Sequence, residues 1–360
     1  MDCHRRTLLY GIGTSMLAAA LTGCTSVGPT RLGRDQLDYT RVISEAGKRQ
    51  TLFNLIRLRF GEPPAFVSIN QLVSGYTLQG TTGGSFEVFP SAPPSSFWSL
   101  MGSVQYTDRP TFTLSPVTGE QFVLAYLRPF SPADIVPLIQ GGIPVDKLFR
   151  LVLQSVGPLQ NTHPLAGARR SGSAEFLPLL ALLRRLQEGG ALRIRLRREK
   201  DMVHAYLAFQ THHVPDLRSL VQEVYRLLRI DPVSQEMEIV YGAPLDVPPK
   251  KGEIPILTRS LLNVLSAVAA EVGVPEEDVR AGRTIATLRE PGAPQPMIIV
   301  RSGPFAPMES YAAVQDGGRW YWVEATDFES KVAFSILEVL KSVAESTKGL
   351  APPVLTIPTG

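Results

Sequence analysis

The chain has 360 residues, 44% hydrophobic, 19% charged and 8% aromatic, a composition that fits a folded protein and is too apolar for a disordered one. Lys and Arg total 36 against 33 Asp and Glu, and a net charge of +3 is too small for a dedicated nucleic-acid binder. Both cysteines, Cys3 and Cys24, lie at the extreme N-terminus, which excludes a disulfide framework and a cysteine-based zinc module.

Arg5 and Arg6 open the chain with positive charge, and Leu8–Leu21 follows without any. That layout predicts a secretory signal over 1–23, because an apolar run of about 14 residues is shorter than the roughly 20 of a spanning helix. The run ends in Leu21-Thr22-Gly23-Cys24, which resembles the box of bacterial lipoprotein signal peptides. Small residues before the cysteine let the backbone enter a peptidase cleft, and a thiolate is the nucleophile that takes a diacylglyceryl group as a thioether. The resemblance implies cleavage between Gly23 and Cys24, acylation of the new amine, and three fatty chains in total. One chain gives only marginal binding, whereas two or three make a durable anchor. Thr25 stands where an Asp commonly retains such proteins in the inner membrane, so the resemblance points to the periplasmic face of an outer membrane. The stretch His4-Arg5-Arg6-Thr7-Leu8-Leu9 is similar to the twin-arginine export pattern, while two arginines also serve as a plain positive region; both readings stand here.

Residues 24–34 are small, polar and broken by glycine and proline, which predicts a flexible tether. A helix is expected over 35–60, with Val42, Ala46, Phe53, Ile56 and Phe60 on its apolar stripe and Gly61 and Pro63 stopping it. Residues 65–89 read as a hairpin that turns at Gly80-Thr81-Thr82-Gly83-Gly84, followed by short strands near 103–106 and 111–114. Helices follow near 118–127, 131–139 and 145–157, the second capped by Ser131. A leucine-rich helix over 173–188 precedes an alternating strand at 192–198, its hairpin partner at 202–209, a helix near 215–229 and a strand at 237–241. Four prolines make 243–256 a linker, so the chain divides into an α+β domain over 35–242 and a smaller α+β domain or subdomain over 257–360. In the second part a helix is expected at 260–272, strands at 297–301, 311–314 and 319–323, a capped helix from Thr326-Asp327-Phe328-Glu329 to 346, and an edge strand at 355–357. The fold class is therefore α+β, mixed helices and antiparallel hairpins, in one large or two modest domains.

Candidate chemistry is sparse. No His-Glu-x-x-His string occurs among the histidines, and no Gly-x-Ser-x-Gly elbow, so neither a metal site nor a catalytic set nor a cofactor is expected. The carboxylates at Glu276, Glu277, Asp278, Glu324 and Asp327 read as helix-start charge. Arg193, Arg195 and Arg197 alternate along one strand face and are the candidate anion-binding surface; the alternative is a solvated edge whose long side chains resist aggregation. The block Arg49–Pro64 is similar to one in uncharacterised proteobacterial lipoproteins, as are Ser330-Lys331 and Leu355–Pro358, a resemblance that brings no activity. The leading expectation is a lipid-anchored protein of the bacterial cell envelope, a non-enzymatic scaffold that binds the membrane by its lipid and an envelope protein partner, with no nucleic acid. The alternatives are a lipid-anchored periplasmic hydrolase or glycan-modifying enzyme, which needs converging catalytic groups, and a small-molecule carrier, which needs a closed apolar cavity.

Overall fold

The computed structural model describes residues 27–87, 97–162, 172–200, 202–210, 217–231, 236–241, 250–287, 295–346 and 354–356, with backbone alone for 27–35, 69–112, 202 and 354–356. The chain is α+β. Helix α1 (Val27–Arg59) leads into strands β1 (Val67–Glu87) and β2 (Phe97–Pro116). Next come α2 (Gly119–Phe122), continued by a π-helical turn at Val123–Leu127, then α3 (Pro132–Gln140) and α4 (Val145–Val152). Strands β3 (Leu153–Val156) and β4 (Leu159–Gln160) precede α5 (Phe176–Glu188), β5 (Leu192–Glu199), β6 (Met202–Phe209) and α6 (Leu217–Leu228). The rest is β7 (Glu236–Tyr241), β8 (Glu253–Thr258), α7 (Leu261–Glu271), α8 (Glu276–Arg280), β9 (Arg301–Gly303), β10 (Ser310–Asp316), β11 (Arg319–Glu324), α9 (Phe328–Glu345) and β12 (Val354–Thr356).

A six-stranded sheet in the order β4-β3-β8-β7-β6-β5 forms the centre, antiparallel throughout except for the parallel neighbours β7 and β8. Helices α3 to α6 bury leucine- and valine-rich faces, as at Val145, Leu179, Leu186 and Val224, all without accessible surface. The same continuous core takes in Leu52 from α1, Met237 and Ile254 from adjacent strands, Leu265 from α7 and Leu340 from α9. A second sheet, β10-β11-β9, and the three-stranded sheet β12-β1-β2 complete the topology.

Several expectations shift. Helix α1 begins at Val27, so most of the tether expected over 24–34 has helical backbone; Pro29 falls in the first turn, where its missing N–H breaks no helical bond. Only the C-terminal part of α1 is buried. Leu55 and Ile56 are fully covered, whereas Leu37 and Val42 are 68% and 55% exposed, so the apolar stripe does not extend back to Val42 or Ala46. The helix expected over 145–157 ends at Val152 and gives way to β3, second from the edge of the six-stranded sheet. The linker expected at 243–256 is a strand from Glu253 onward, and that strand lies inside the six-stranded sheet between β3 and β7. The expected boundary therefore falls within a sheet rather than between bodies. Pro255 is tolerated there because its carbonyl still serves, accepting from the Gly157 amide at 2.8 Å. The strand expected at 297–301 starts only at Arg301, and the last helix is capped by Asp327 rather than Thr326.

The largest departure is in β1 and β2. The glycine-rich stretch at 80–84 is not a turn: it lies inside a 21-residue strand that pairs with β2 from Val67↔Pro116 out to Glu87↔Phe97. The two short strands expected at 103–106 and 111–114 are parts of the single strand β2.

Candidate functional site

The β1–β2 ribbon has a built root. Asn54, buried near the end of α1, donates from Nδ2 to the Ala65 carbonyl at 2.9 Å and accepts the Ala65 amide at Oδ1 at 2.8 Å, so its side-chain amide pairs with the backbone as a strand would. Gln50 donates to the Val67 carbonyl at 3.2 Å. Phe66 is 6% exposed and its ring stacks 3.7 Å from that of Tyr126, which stacks in turn on Phe122 at 5.5 Å. Tyr126 donates its hydroxyl to Glu345 at 2.7 Å, and burial with that carboxylate raises the phenol far above its ordinary value. On the returning strand, the Val117 amide donates to the Phe66 carbonyl at 3.0 Å. The root of the ribbon is thus pinned to α1 and the π-helical turn, and through Tyr126 to α9.

Beyond the root the ribbon stands on its own ladder. Strand β12 runs parallel to β1 only over Gln71–Val73, and among the described residues no other strand pairs with either outer edge. At about 3.3 Å per residue, the stretch from Gln71 to Glu87 reaches on the order of 50 Å. A β-bulge lies between Ile69 and Gln71, where Asn70 has no register partner on β2.

The register sorts the outer residues into two faces, because directly opposed residues share a face and neighbours along a strand alternate. One face takes the pairs Leu78↔Tyr106, Gly80↔Val104, Gly84↔Leu100 and Phe86↔Trp98. The other takes Thr77↔Thr107, Gln79↔Gln105, Thr81↔Ser103, Gly83↔Met101 and Ser85↔Ser99. No charged residue occurs between Val67 and Phe86 or between Phe97 and Thr107; charge returns at Glu87 and at Asp108-Arg109. Sequence reasoning missed this element because Gly83-Gly84 reads as a turn. The signal that identifies it is the long uncharged, two-residue alternation on both sides of residues 88–96.

Gly23 and Cys24 lie outside the described residues. Arg193, Arg195 and Arg197 share β5, the edge strand of the central sheet, so the structure does bring them together. Each has a partner: Arg193 Nε donates to Gln210 at 3.2 Å, Arg195 bonds Glu236, and Arg197 reaches Glu236 at 3.4 Å and Glu199 at 3.9 Å. The Arg197 guanidinium also covers the Tyr206 ring at 4.7 Å. Glu236 and Glu199 together set two negative charges against Arg195 and Arg197.

His163, His212 and His213 are outside the described residues; His204 Nδ1 sits 2.6 Å from Glu238. Among the described residues no group of three His, Cys, Asp or Glu converges in a way that could hold a metal ion. The acidic cluster is tied to cations: Asp278 accepts from Arg283 at 2.8 Å and Glu277 from Arg319 at 2.6 Å. An apolar cavity between α3, α5 and the central sheet, lined by Ile135, Val136, Leu183 and Ile254, encloses about 40 Å³. A carrier for a drug-sized molecule needs several hundred cubic ångströms, so this cavity does not serve as one. No helix among the described residues is long and apolar enough to cross a membrane. Comparison with protein-family models, with curated proteins and with solved structures finds no match.

Proposed function

We propose that this protein is a lipid-anchored component of the bacterial cell envelope that works by assembly rather than by catalysis, with Cys24 as its membrane attachment and the β1–β2 ribbon as its joining element. The observation that carries the assembly part is the ribbon itself: a long ladder on a firmly packed root, with two outer edges that no described strand covers beyond Val73. Exposed edges are templates for pairing with another chain, and proteins that do not use them blunt them with charge, proline or cover. Here Pro110 is the only proline on either strand short of the terminal Pro116, and the outer half carries no charge except Glu87 at its far end. The attachment part rests on Leu21-Thr22-Gly23-Cys24 behind an uncharged apolar run.

Two variants test the reading. Cys24→Ser is expected to abolish incorporation of radiolabelled palmitate; incorporation that persists in the variant, or is absent from the wild type, refutes the anchor. A chain in which Tyr76 is joined to Asp108 through a two-residue Asn-Gly turn keeps the root and loses the outer ribbon. It is expected to fold and to lose the chemically cross-linked, high-mass species of the full chain. If those species persist, the ribbon is not the joining element.

A further inference from the structure

The outer half of the ribbon has a definite solvent preference written in its register. We infer that Thr77–Glu87 and Phe97–Thr107 are a bilayer-spanning pair of β-strands, and that copies of this chain pair edge to edge through them to close a β-barrel around a polar lumen. The inference rests on the reading that the ribbon is the joining element, and adds to it the medium it enters and the partner it joins.

Four features of the ribbon agree. The first is length. From Thr77↔Thr107 to Glu87↔Phe97 each strand contributes 11 residues, and a tilted strand needs about 9–11 to cross the hydrocarbon core. The second is charge. At the chain's own 19%, a stretch of this size would hold about four charged residues; it holds only Glu87, at its far end, with Asp108 and Arg109 just outside its near end. The third is the two-face pattern. Leu78, Leu100 and Val104 share one face with small residues at Gly80, Thr82, Gly84 and Gly102, while Gln79, Thr81, Ser103 and Gln105 share the other, on which Met101 and the terminal Phe97 are the apolar exceptions. That is the alternation of a strand with lipid on one side and water on the other. A strand packed on a protein core would show the same alternation, but it would have no reason to exclude charge from its polar face. The fourth is the placement of aromatics: Tyr106 marks the near level and Phe86↔Trp98 the far level, the positions of the two interfacial girdles.

The need for other copies follows from the backbone. In hydrocarbon every N–H and C=O must be paired, so a two-stranded ribbon with bare edges cannot stay in a bilayer alone. Among the described residues, strand β12 covers only Gln71–Val73, outside the spanning stretch. Edge pairing between identical ribbons satisfies both sides and closes without an end. A barrel of about eight strands is filled by side chains, whereas about sixteen leave an aqueous channel. With two strands per chain, a water-filled lumen therefore calls for roughly eight copies.

The test is a cysteine scan of the full processed chain, in which an acylated Cys24 leaves no competing thiol. Single cysteines at Thr82, Leu100 and Val104 for one face, and at Thr81, Ser103 and Gln105 for the other, are labelled with an environment-sensitive fluorophore in proteoliposomes. The expected result is strict alternation: the first set is quenched several-fold more by nitroxide-bearing lipids than by aqueous iodide, and the second set shows the reverse. Planar bilayers should show stepwise conductance that disappears with the Tyr76–Asp108 shortened chain. Equal iodide quenching at both sets overturns the inference. So does an apolar-face set shielded from iodide but untouched by lipid nitroxide, which would mark burial against protein instead. Palmitate labelling of the otherwise wild-type chain, run beside the scan, separates the two readings. Alternation in a chain that takes up no palmitate keeps the spanning ribbon and removes the anchor, whereas palmitate uptake and membrane fractionation without alternation keep the anchor and remove the spanning ribbon.

Discussion

At Asp327 the chain turns from β11 into α9, and one carboxylate receives the Ser330 amide at 3.1 Å and the Ser330 hydroxyl at 2.6 Å. Burial pushes this carboxyl up, but the bonds from Ser330 and the positive charge of Arg301 outweigh it and hold it below its ordinary 3.8. A lowered folded value means that the fold favours the charged form. The stabilisation is therefore complete above the ordinary value and is lost as pH falls through the lowered one. Asp327→Ala is expected to cost about 1 kcal/mol at neutral pH, and its deficit against wild type should shrink in acid. Urea titrations at neutral pH and well below the ordinary carboxylate value read both; a deficit that grows in acid contradicts the assignment. The Ser131 cap was legible in the sequence because cap and partner lie within three residues, whereas at the last helix the same kind of pattern pointed one residue early, to Thr326. The buried arginines were not legible. Arg59 bonds the Val272 carbonyl 213 positions away, and Arg259 bonds the carbonyls of Arg150, Leu151 and Thr162. Burial pushes the Arg259 guanidinium down to about 10, still charged at neutral pH. Nothing local distinguishes such an arginine from a surface one.

Among the elements, those with a single strong period were read closely: α5, the β5–β6 hairpin, α7 and the β10–β11 hairpin all appear near their expected positions. The misreadings share a cause. At Gly80–Gly84 and at Pro255, residues that usually end strands sit inside them, because a long-range ladder supplies what local propensity does not. The ribbon's faces could have been read from alternation alone, but its register could not, since that depends on the bulge at Asn70. The ribbon also makes a prediction as an element. In an antiparallel ladder, alternate amides on each strand face outward, away from the partner strand. In the dispersed chain, outward amides between Thr77 and Glu87 are expected to exchange with solvent deuterium far faster than their inward neighbours. In the assembled, membrane-bound protein both sets should be protected, and hydrogen exchange resolved along the ribbon measures the difference. Outward amides equally protected in both states would mean that the edges are covered within one chain.

Among the described residues, the body of the molecule shares one apolar interior. Residues from both sides of the proline-rich stretch, such as Met237 and Leu265, belong to the same cluster, and β7 lies parallel to β8 across it. Composition alone suggested a division there because prolines mark boundaries more often than sheet centres. A shared core predicts shared cooperativity. With Trp98 replaced by Phe, fluorescence from Trp320 and Trp322 should follow the same denaturant midpoint as far-ultraviolet dichroism; two separated midpoints would restore the division at 243–256. The bulge also has a consequence for how the molecule is aimed. Because Asn70 is an extra residue in β1, Ile69↔Leu114 and Leu72↔Phe112 fall on the same face although their β1 positions differ by an odd number. Excising Asn70 would leave every pairing intact and straighten the elbow, so the protein's reach would survive while its bearing relative to the body changed.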